Sequence, residues 1–233
     1  MFAPDSISVL SRVELALADH PAIQAELGKW NIKMLLPAPL PQYQLMGTRR
    51  IAKIEDLRGA RVRIPAEIGK IFEEYGAIPL HMAGNEAVAA LKSGVLDAYS
   101  TGYPVTFAAH RAHEVSKYIT DNISLGTQLC YFGVSRKAWD ALPAAIQQVM
   151  LSLRPLAVAK YAEIYAREDA ATIALFKQRG LEFVSFNATD RARLVARSIK
   201  VWQAWVAERE KQGLRGREVF EFTQAKIREF SGK

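Results

Sequence analysis

Cysteine occurs once, at Cys130, so the chain can form no disulfide within itself, and its redox compartment is left open. Histidine is scarce too: His20, His81, His110 and His113 fall at spacings that supply no third and fourth ligand for a zinc ion. No apolar run approaches the roughly twenty residues that a membrane-crossing helix needs, so the chain is not itself membrane-spanning by helix. There is no G-x-G-x-x-G, Walker loop, H-E-x-x-H or G-x-S-x-G elbow, which removes the common signatures of dinucleotide, nucleotide, metalloprotease and hydrolase chemistry. The opening MFAPDSISVLSRVELALADHP lacks a basic leader, an apolar block and a small-residue cleavage site, so it does not read as a signal peptide. Internal repeats and low-complexity linkers are also missing.

What remains is an ordinary globular composition. The 233 residues are half hydrophobic and 24% charged, enough for one large domain or two small lobes. A net charge of +7 permits attraction to anionic ligands, membranes or nucleic acid without choosing among them.

The most ordered pattern lies in Glu55–Thr101, EDLRGARVRIPAEIGKIFEEYGAIPLHMAGNEAVAALKSGVLDAYST. Ala60–Ile64 alternates as a strand, with Val62 and Ile64 on one face and Arg61 and Arg63 on the other. Pro65 stops it, and Ile68, Ile71, Phe72 and Tyr75 then recur at helical steps up to Gly76. A second strand at Ile78–Met82 follows. Asn85 is placed to cap the next helix, with Val88, Ala89 and Leu91 inward and Gly94 at its end; Val95–Ser100 closes the unit as a third strand. Strands and helices alternating at this length predict an α/β fold with a mostly parallel sheet.

Arg63 stands out because strands buried on both faces usually read as unbroken apolar runs. Two readings fit it. One is an edge strand with a solvated face. The other is a guanidinium at the carboxyl end of a strand, where open α/β sheets bind ligands, gripping a carboxylate with two parallel hydrogen bonds.

Elsewhere, Asn31–Leu36 and Gln42–Met46 read as strands around a stiff Pro37, Pro39, Pro41 connection. Tyr103–Ala112 reads as helix and Gly126–Val134 as a strand in which Cys130 is a buried small hydrophobe. Ile146, Val149, Met150 and Leu153 form one apolar helical face. Leu156–Arg179 is one helix, on the order of 35 Å long at 1.5 Å per residue, and Leu181–Phe186 is a further strand. The terminal helices Arg191–Lys211 and Glu218–Phe230 are rich in arginine and lysine, but Leu194, Val201, Trp202 and Trp205 are helix-spaced as core.

The order EDLRGARVRIP followed by GAIPLHMAGNEAVAALKSGVLDA resembles the substrate-binding subunits of tripartite ATP-independent periplasmic (TRAP) transporters, the DctP type. The matching positions are Asp56, Leu57, Arg58 and Gly59; Arg63, Ile64 and Pro65; Gly76, Ala77 and Pro79; and Ala90, Leu91, Gly94 and Asp97. Glu114, Val115, Lys117 and Tyr118, then Trp139, Leu142 and Pro143, extend the likeness, which runs from about Asp19 to the C-terminus.

That resemblance implies a two-lobed, type II periplasmic-binding-protein-like α/β fold, with mixed sheets, flanking helices and a long lobe-spanning helix. It divides the chain into 1–40 plus 129–168 as the remainder of lobe I, and 41–128 plus 169–233 as lobe II with the C-terminal helices. It implies an extracytoplasmic, periplasmic solute-binding subunit that captures a small organic acid by lobe closure and delivers it to a membrane permease, without catalysis, cofactor, metal or nucleic acid.

The implied ligand residues are Arg63 on the carboxylate and Thr101 where many relatives have an asparagine, with Asn85 and Tyr99 as neighbours. Tyr43 falls where relatives that bind sugar acids carry a second arginine; a half-buried packing tyrosine is the other reading. Gly84 falls where relatives often have a phenylalanine that packs on the ligand, a departure expected to widen the pocket or remove its wall. The opening part of the family's first lobe has no counterpart here, so the chain is expected to bind acids weakly by itself and to self-associate. Two rivals stand beside this reading: a basic nucleic-acid-binding domain on the C-terminal helices, and an α/β enzyme using an arginine-lined cleft on an anionic substrate.

Overall fold

The computed structural model describes residues 6–232. The chain opens with α1 (Ile7–Ala18) and α2 (Pro21–Lys29), then β1 (Ile32–Pro37) and β2 (Tyr43–Gly47). The middle stretch runs β3 (Arg61–Arg63), α3 (Ala66–Glu73), β4 (Ile78–Leu80), α4 (Gly84–Lys92), β5 (Ala98–Gly102), α5 (Val105–Ala109) and β6 (Tyr118–Thr120). After it come β7 (Tyr131–Ser135), α6 (Arg136–Asp140), α7 (Ala144–Ser152) and α8 (Arg154–Gln178). The last elements are β8 (Glu182–Val184), α9 (Ala188–Lys211) and α10 (Gly216–Ser231).

These elements group into two compact units. The first holds Pro41–Thr127 and Arg167–Gln203; the second holds residues 6–40, Gln128–Ala166 and 204–232. Residues beyond Gln203, which the lobe boundaries read from the sequence put with 41–128, fall in the second unit because α10 packs along α1. The long helix α8 contributes to both units.

The first unit is built on a six-stranded mixed sheet in the order β4-β3-β5-β2-β6-β8. β3 is parallel to β4 and β5, β2 is antiparallel to β5 and β6, and β8 is parallel to β6. The parallel β3–β4–β5 set follows from the two connections through α3 and α4. Val62 and Ile64 are buried while Arg61 and Arg63 are half-exposed on the opposite face, as the alternation predicts. Of the family-like turn residues, Asp56 accepts from the amides of Ala52 (2.9 Å) and Lys53 (3.2 Å), and so fixes the turn before β3. Gly59 and Gly76 both have positive φ (69° and 82°), and the Gly59 amide donates to the Gly76 carbonyl at 2.7 Å. Gly47 sits against the Asp97 carbonyl, too close for any side chain.

One face of this sheet carries a core of Met46, Leu91, Leu96, Tyr99, Phe107, Ile119 and Phe176. In α4 it is Ala87 and Leu91 that are buried; Ala89, expected inward, is exposed. Asn85 does not cap that helix. The N-terminal cap is Ala83, whose amide donates to the Glu86 carboxylate at 3.0 Å, and Asn85 lies exposed in the first turn.

In the second unit β1 and β7 pair antiparallel, with α1 and α2 against β1. Ser6 caps α1, and His20 caps α2 by accepting from the Ala22 amide at 3.2 Å. The His20 ring meets Phe222 edge-on at 4.7 Å, which ties α10 to this end of α1. Arg154 pairs Asp19 at 2.8 and 3.1 Å, and the Tyr161 hydroxyl donates to the Pro39 carbonyl at 2.8 Å. Two expectations are not met. Of the apolar face Ile146, Val149, Met150 and Leu153 along α7 and its C-cap, Ile146, Val149 and Leu153 are about half exposed rather than core, and Trp202 on α9 is more than a third exposed, leaving Leu194 and Val206 as that helix's buried hydrophobic residues. Cys130 is half-buried, and burial pushes its thiol above the ordinary range.

Candidate functional site

Because β3, β4 and β5 run parallel, their carboxyl ends lie along one edge of the first unit's sheet, the edge at which open α/β sheets gather ligands. Arg63 is the last residue of β3 and is in register with Tyr99 on β5. Its Nε donates to the Met82 carbonyl at 3.0 Å and its Nη1 to the Ser100 carbonyl at 3.1 Å. One acceptor lies just past the end of β4 and the other in the middle of β5, both backbone carbonyls, so the sheet itself aims the guanidinium. Two of its five N–H donors are used, and Nη2 has no protein partner among the described residues. The guanidinium carbon stands 5.5 Å from the centre of the Tyr99 ring, within cation–π range.

Arg61, two residues earlier on the same face, is in a different state. Its Nη2 and Nε reach the two oxygens of Asp97 at 2.6 and 3.1 Å, and its amide donates to the same carboxylate at 2.8 Å. Burial works against the Asp97 carboxylate, but these bonds outweigh it and hold its pKa below the usual range. The acidic residue of the Gly-x-x-Asp pattern is therefore a clamp on Arg61.

Tyr99 and Thr101 leave β5 on the same face as Arg63, and both are buried. The Tyr99 oxygen lies 2.6 Å from His110 Nδ1. Burial raises the Tyr99 pKa, against the opposing pull of a Thr101 hydrogen bond and the Arg63 charge. His110 follows α5 and is pushed toward its neutral form, first by burial and then by Arg63. Tyr103, further along β5's exit, is likewise pushed up to about 12 by burial, with Asp121 and Asp169 adding to it.

Gly84 opens α4 directly beneath this group. A Cβ there would come 2.9 Å from His110 Cε1 and 3.2 Å from the Tyr99 hydroxyl oxygen. The glycine thus does not open an empty space, as the sequence suggested; the imidazole and phenol occupy it.

Of the residues singled out from the sequence, Arg63, Tyr99 and Thr101 come together. Asn85 sits next to Gly84 but exposed, with no side-chain bond to the group. Tyr43 does not join it: it pairs with Gly102, on the face opposite to Tyr99 and Thr101, and is buried there. The side chain facing Thr101 from β2 is Gln44, whose Oε1 accepts from the Thr120 hydroxyl (2.9 Å) and the Ile123 amide (3.0 Å). His110 and Gln44 were not identified from the sequence. The position of Gln44 follows from strand parity, whereas His110 has no spacing signal at all. His110 and His113 do not converge, since His113 is buried against Phe176. Among the described residues no cluster of His, Cys, Asp or Glu could hold a metal ion.

The family model for bacterial extracellular solute-binding protein family 7, DctP, matches residues 20–209. Solved structures share the fold at low identity. A marine metagenome TRAP solute-binding protein specific for aromatic acid ligands, in complex with metahydroxyphenylacetate, aligns with a TM-score of 0.82 at 20% identity, covering 97% of this chain and 72% of its own. A TRAP periplasmic protein from Rhodoferax ferrireducens with bound malonate gives 0.77 at 18%, covering 93% and 69%. The periplasmic ectoine-binding protein of a Halomonas elongata TRAP transporter gives 0.81 at 16%, covering 97% and 74%.

Proposed function

Since the chain belongs to the bacterial extracellular solute-binding protein family 7, we propose that it is the periplasmic solute-binding subunit of a TRAP transporter and that its solute is a small organic acid held by Arg63. One observation carries this reading: the Arg63 guanidinium is aimed by the backbone carbonyls of Met82 and Ser100, lies over the Tyr99 ring, and keeps Nη2 unpaired among the described residues. A carboxylate meeting it gains two parallel charge-assisted hydrogen bonds without the cost of ordering a free side chain. Thr101 stands beside it, its hydroxyl hydrogen-bonded to the Tyr99 phenol. Two of the structurally similar proteins named above hold malonate and metahydroxyphenylacetate, both of which carry a carboxylate.

The bound acid is passed unchanged to a membrane permease; the subunit is a carrier, with no reaction and no cofactor. No helix among the described residues is long and apolar enough to cross a membrane. Two of the basic residues of α9 are engaged with acids of the first unit, Arg193 with Glu55 and Asp190 and Arg197 with Glu74, which speaks for a structural use of that part of the charge rather than a nucleic-acid surface.

A thermal-shift and calorimetric screen of mono- and dicarboxylates tests the reading. Binding of an acid that is recovered unaltered, and lost in Arg63→Lys, supports it. Turnover of the acid, or affinity for nucleic acid that falls steeply with salt and no acid binding, overturns it.

A further inference from the structure

His110 is an imidazole that the site as described so far does not use. Its Nδ1 is 2.6 Å from the Tyr99 oxygen, its ring stacks near the Tyr99 ring at a 29° interplanar angle, and it fills the room left by Gly84. Nε2 has no partner among the described residues. Thr101 in turn hydrogen-bonds the Tyr99 phenol. Thr101, Tyr99 and His110 thus form a chain of hydrogen-bonding groups that ends beside Arg63, whose guanidinium lies over the same phenol ring.

We propose that His110 is a specificity-determining residue: with Nδ1 accepting from the Tyr99 hydroxyl, its Nε2–H points a single neutral donor at an oxygen on the acid next to the carboxylate, so that the site selects 2- or 3-hydroxy and oxo acids over their unsubstituted counterparts. This rests on the reading of Arg63 as the carboxylate grip. The direction of the chain follows from the chemistry of its members. A phenol is the stronger donor to a neutral imidazole, and the Thr101 hydroxyl supplies the bond to the phenol oxygen, so the ring proton is left on the outer nitrogen. Burial and the Arg63 charge both disfavour the imidazolium, which keeps that tautomer in place. A donor fixed in this way discriminates because an acid lacking the acceptor leaves it desolvated and unpaired. Gly84 is what admits the imidazole, and Tyr99 is a positioning residue that acts through it.

The test is calorimetry of butyrate, 2-hydroxybutyrate and 3-hydroxybutyrate against the wild type and the His110→Phe, His110→Asn, Tyr99→Phe and Arg63→Lys variants, with melting temperatures to confirm folding. The wild type is expected to favour one hydroxy acid about tenfold, the size of one well-placed hydrogen bond. His110→Phe should erase that preference while retaining butyrate, and Arg63→Lys should weaken all three acids together. Nitrogen-15 spectra should place the His110 proton on Nε2 and show the preference for that tautomer lost in Tyr99→Phe. A preference that survives both His110 variants, or its absence from the wild type while butyrate binds, overturns the role of His110 alone. Equal affinities in Arg63→Lys and wild type overturn the carboxylate grip, and with it this inference, as does the failure of every acid to bind.

Discussion

Arg61 and Arg63 leave β3 on the same face, two residues apart, yet only Arg61 is closed by a carboxylate, with Asp97 at 2.6 Å. Arg63 is held by carbonyls and keeps its charge uncompensated within its unit. The two arginines should therefore fail in different assays. Arg63→Lys should weaken acid binding tens- to thousands-fold, the consequence of roughly 2–5 kcal/mol for a desolvated pair losing its planar grip, with little change in melting temperature. Arg61→Lys should lower the melting temperature and leave affinity nearly unchanged. Calorimetry and thermal unfolding on both variants separate the two roles; comparable affinity losses would mean that both arginines face the ligand.

A side chain at position 84 competes with the imidazole for one space. Gly84→Ala should destabilise by about 1–3 kcal/mol through overpacking. Combined with His110→Ala, the same substitution should cost clearly less than the sum of the two single changes. Denaturant unfolding of the four proteins measures the coupling, and additivity would show that the ring moves aside freely.

Glu14 on α1 is buried, its Oε2 has no partner among the described residues, and burial pushes its pKa up to about 9. In the folded chain it is protonated at neutral pH, whereas unfolding lets it ionise near the ordinary carboxyl value of 4.5. The unfolded state therefore binds fewer protons between those values, and stability falls as pH rises from about 4.5 toward 9, by at most about 1.4 kcal/mol per unit from this group. Glu14→Gln should flatten that decline and be more stable than the wild type at pH 8, with the difference vanishing near pH 4.5. A parallel pH profile for the two proteins would show that Glu14 finds a partner when charged.

At the start of α4 the Glu86 carboxylate serves the Ala83 amide, while Asn85 makes no cap bond. Glu86→Ala should cost about 0.5–2 kcal/mol as a lost cap, and Asn85→Ala less than about 0.5 kcal/mol. Binding of the acid should be unaffected by Asn85→Ala, since its side chain is exposed; a drop in affinity would return that residue to the site.

The α7 stripe Ile146, Val149, Leu153 looks like core in the sequence but is about half exposed. Val149→Lys is expected to shift stability by less than about 0.5 kcal/mol, against about 2–5 kcal/mol for Leu91→Ala in the first unit's core. A large loss in Val149→Lys would show that this face is covered in solution.

The sequence made legible what depends on local period. Alternation placed Val62 and Ile64 inward and Arg63 outward, and helical spacing located α3, α4 and α8. Tyr43 falls on the sheet face opposite to Tyr99 and Thr101 because a strand's faces change with every residue, a register that the resemblance did not supply. Periodicity found the helix in α7 but had nothing to say about what lies against it. His110 was invisible for a different reason: it meets Tyr99 only after the chain has turned through α5, and its one signal was negative, a glycine at position 84 where a side chain has no room.

Arg63, Gly84, Tyr99, Thr101 and His110 all fall within one continuous stretch of chain, while β2, β6 and β8, which complete the sheet, come from outside it or from its far side. The groups proposed to meet the solute are therefore inherited together. Substitutions in that single stretch can exchange one acid for another while the strands that frame it stay as they are, so new specificities on this scaffold should arise by drift within a short cassette rather than by concerted change across the molecule.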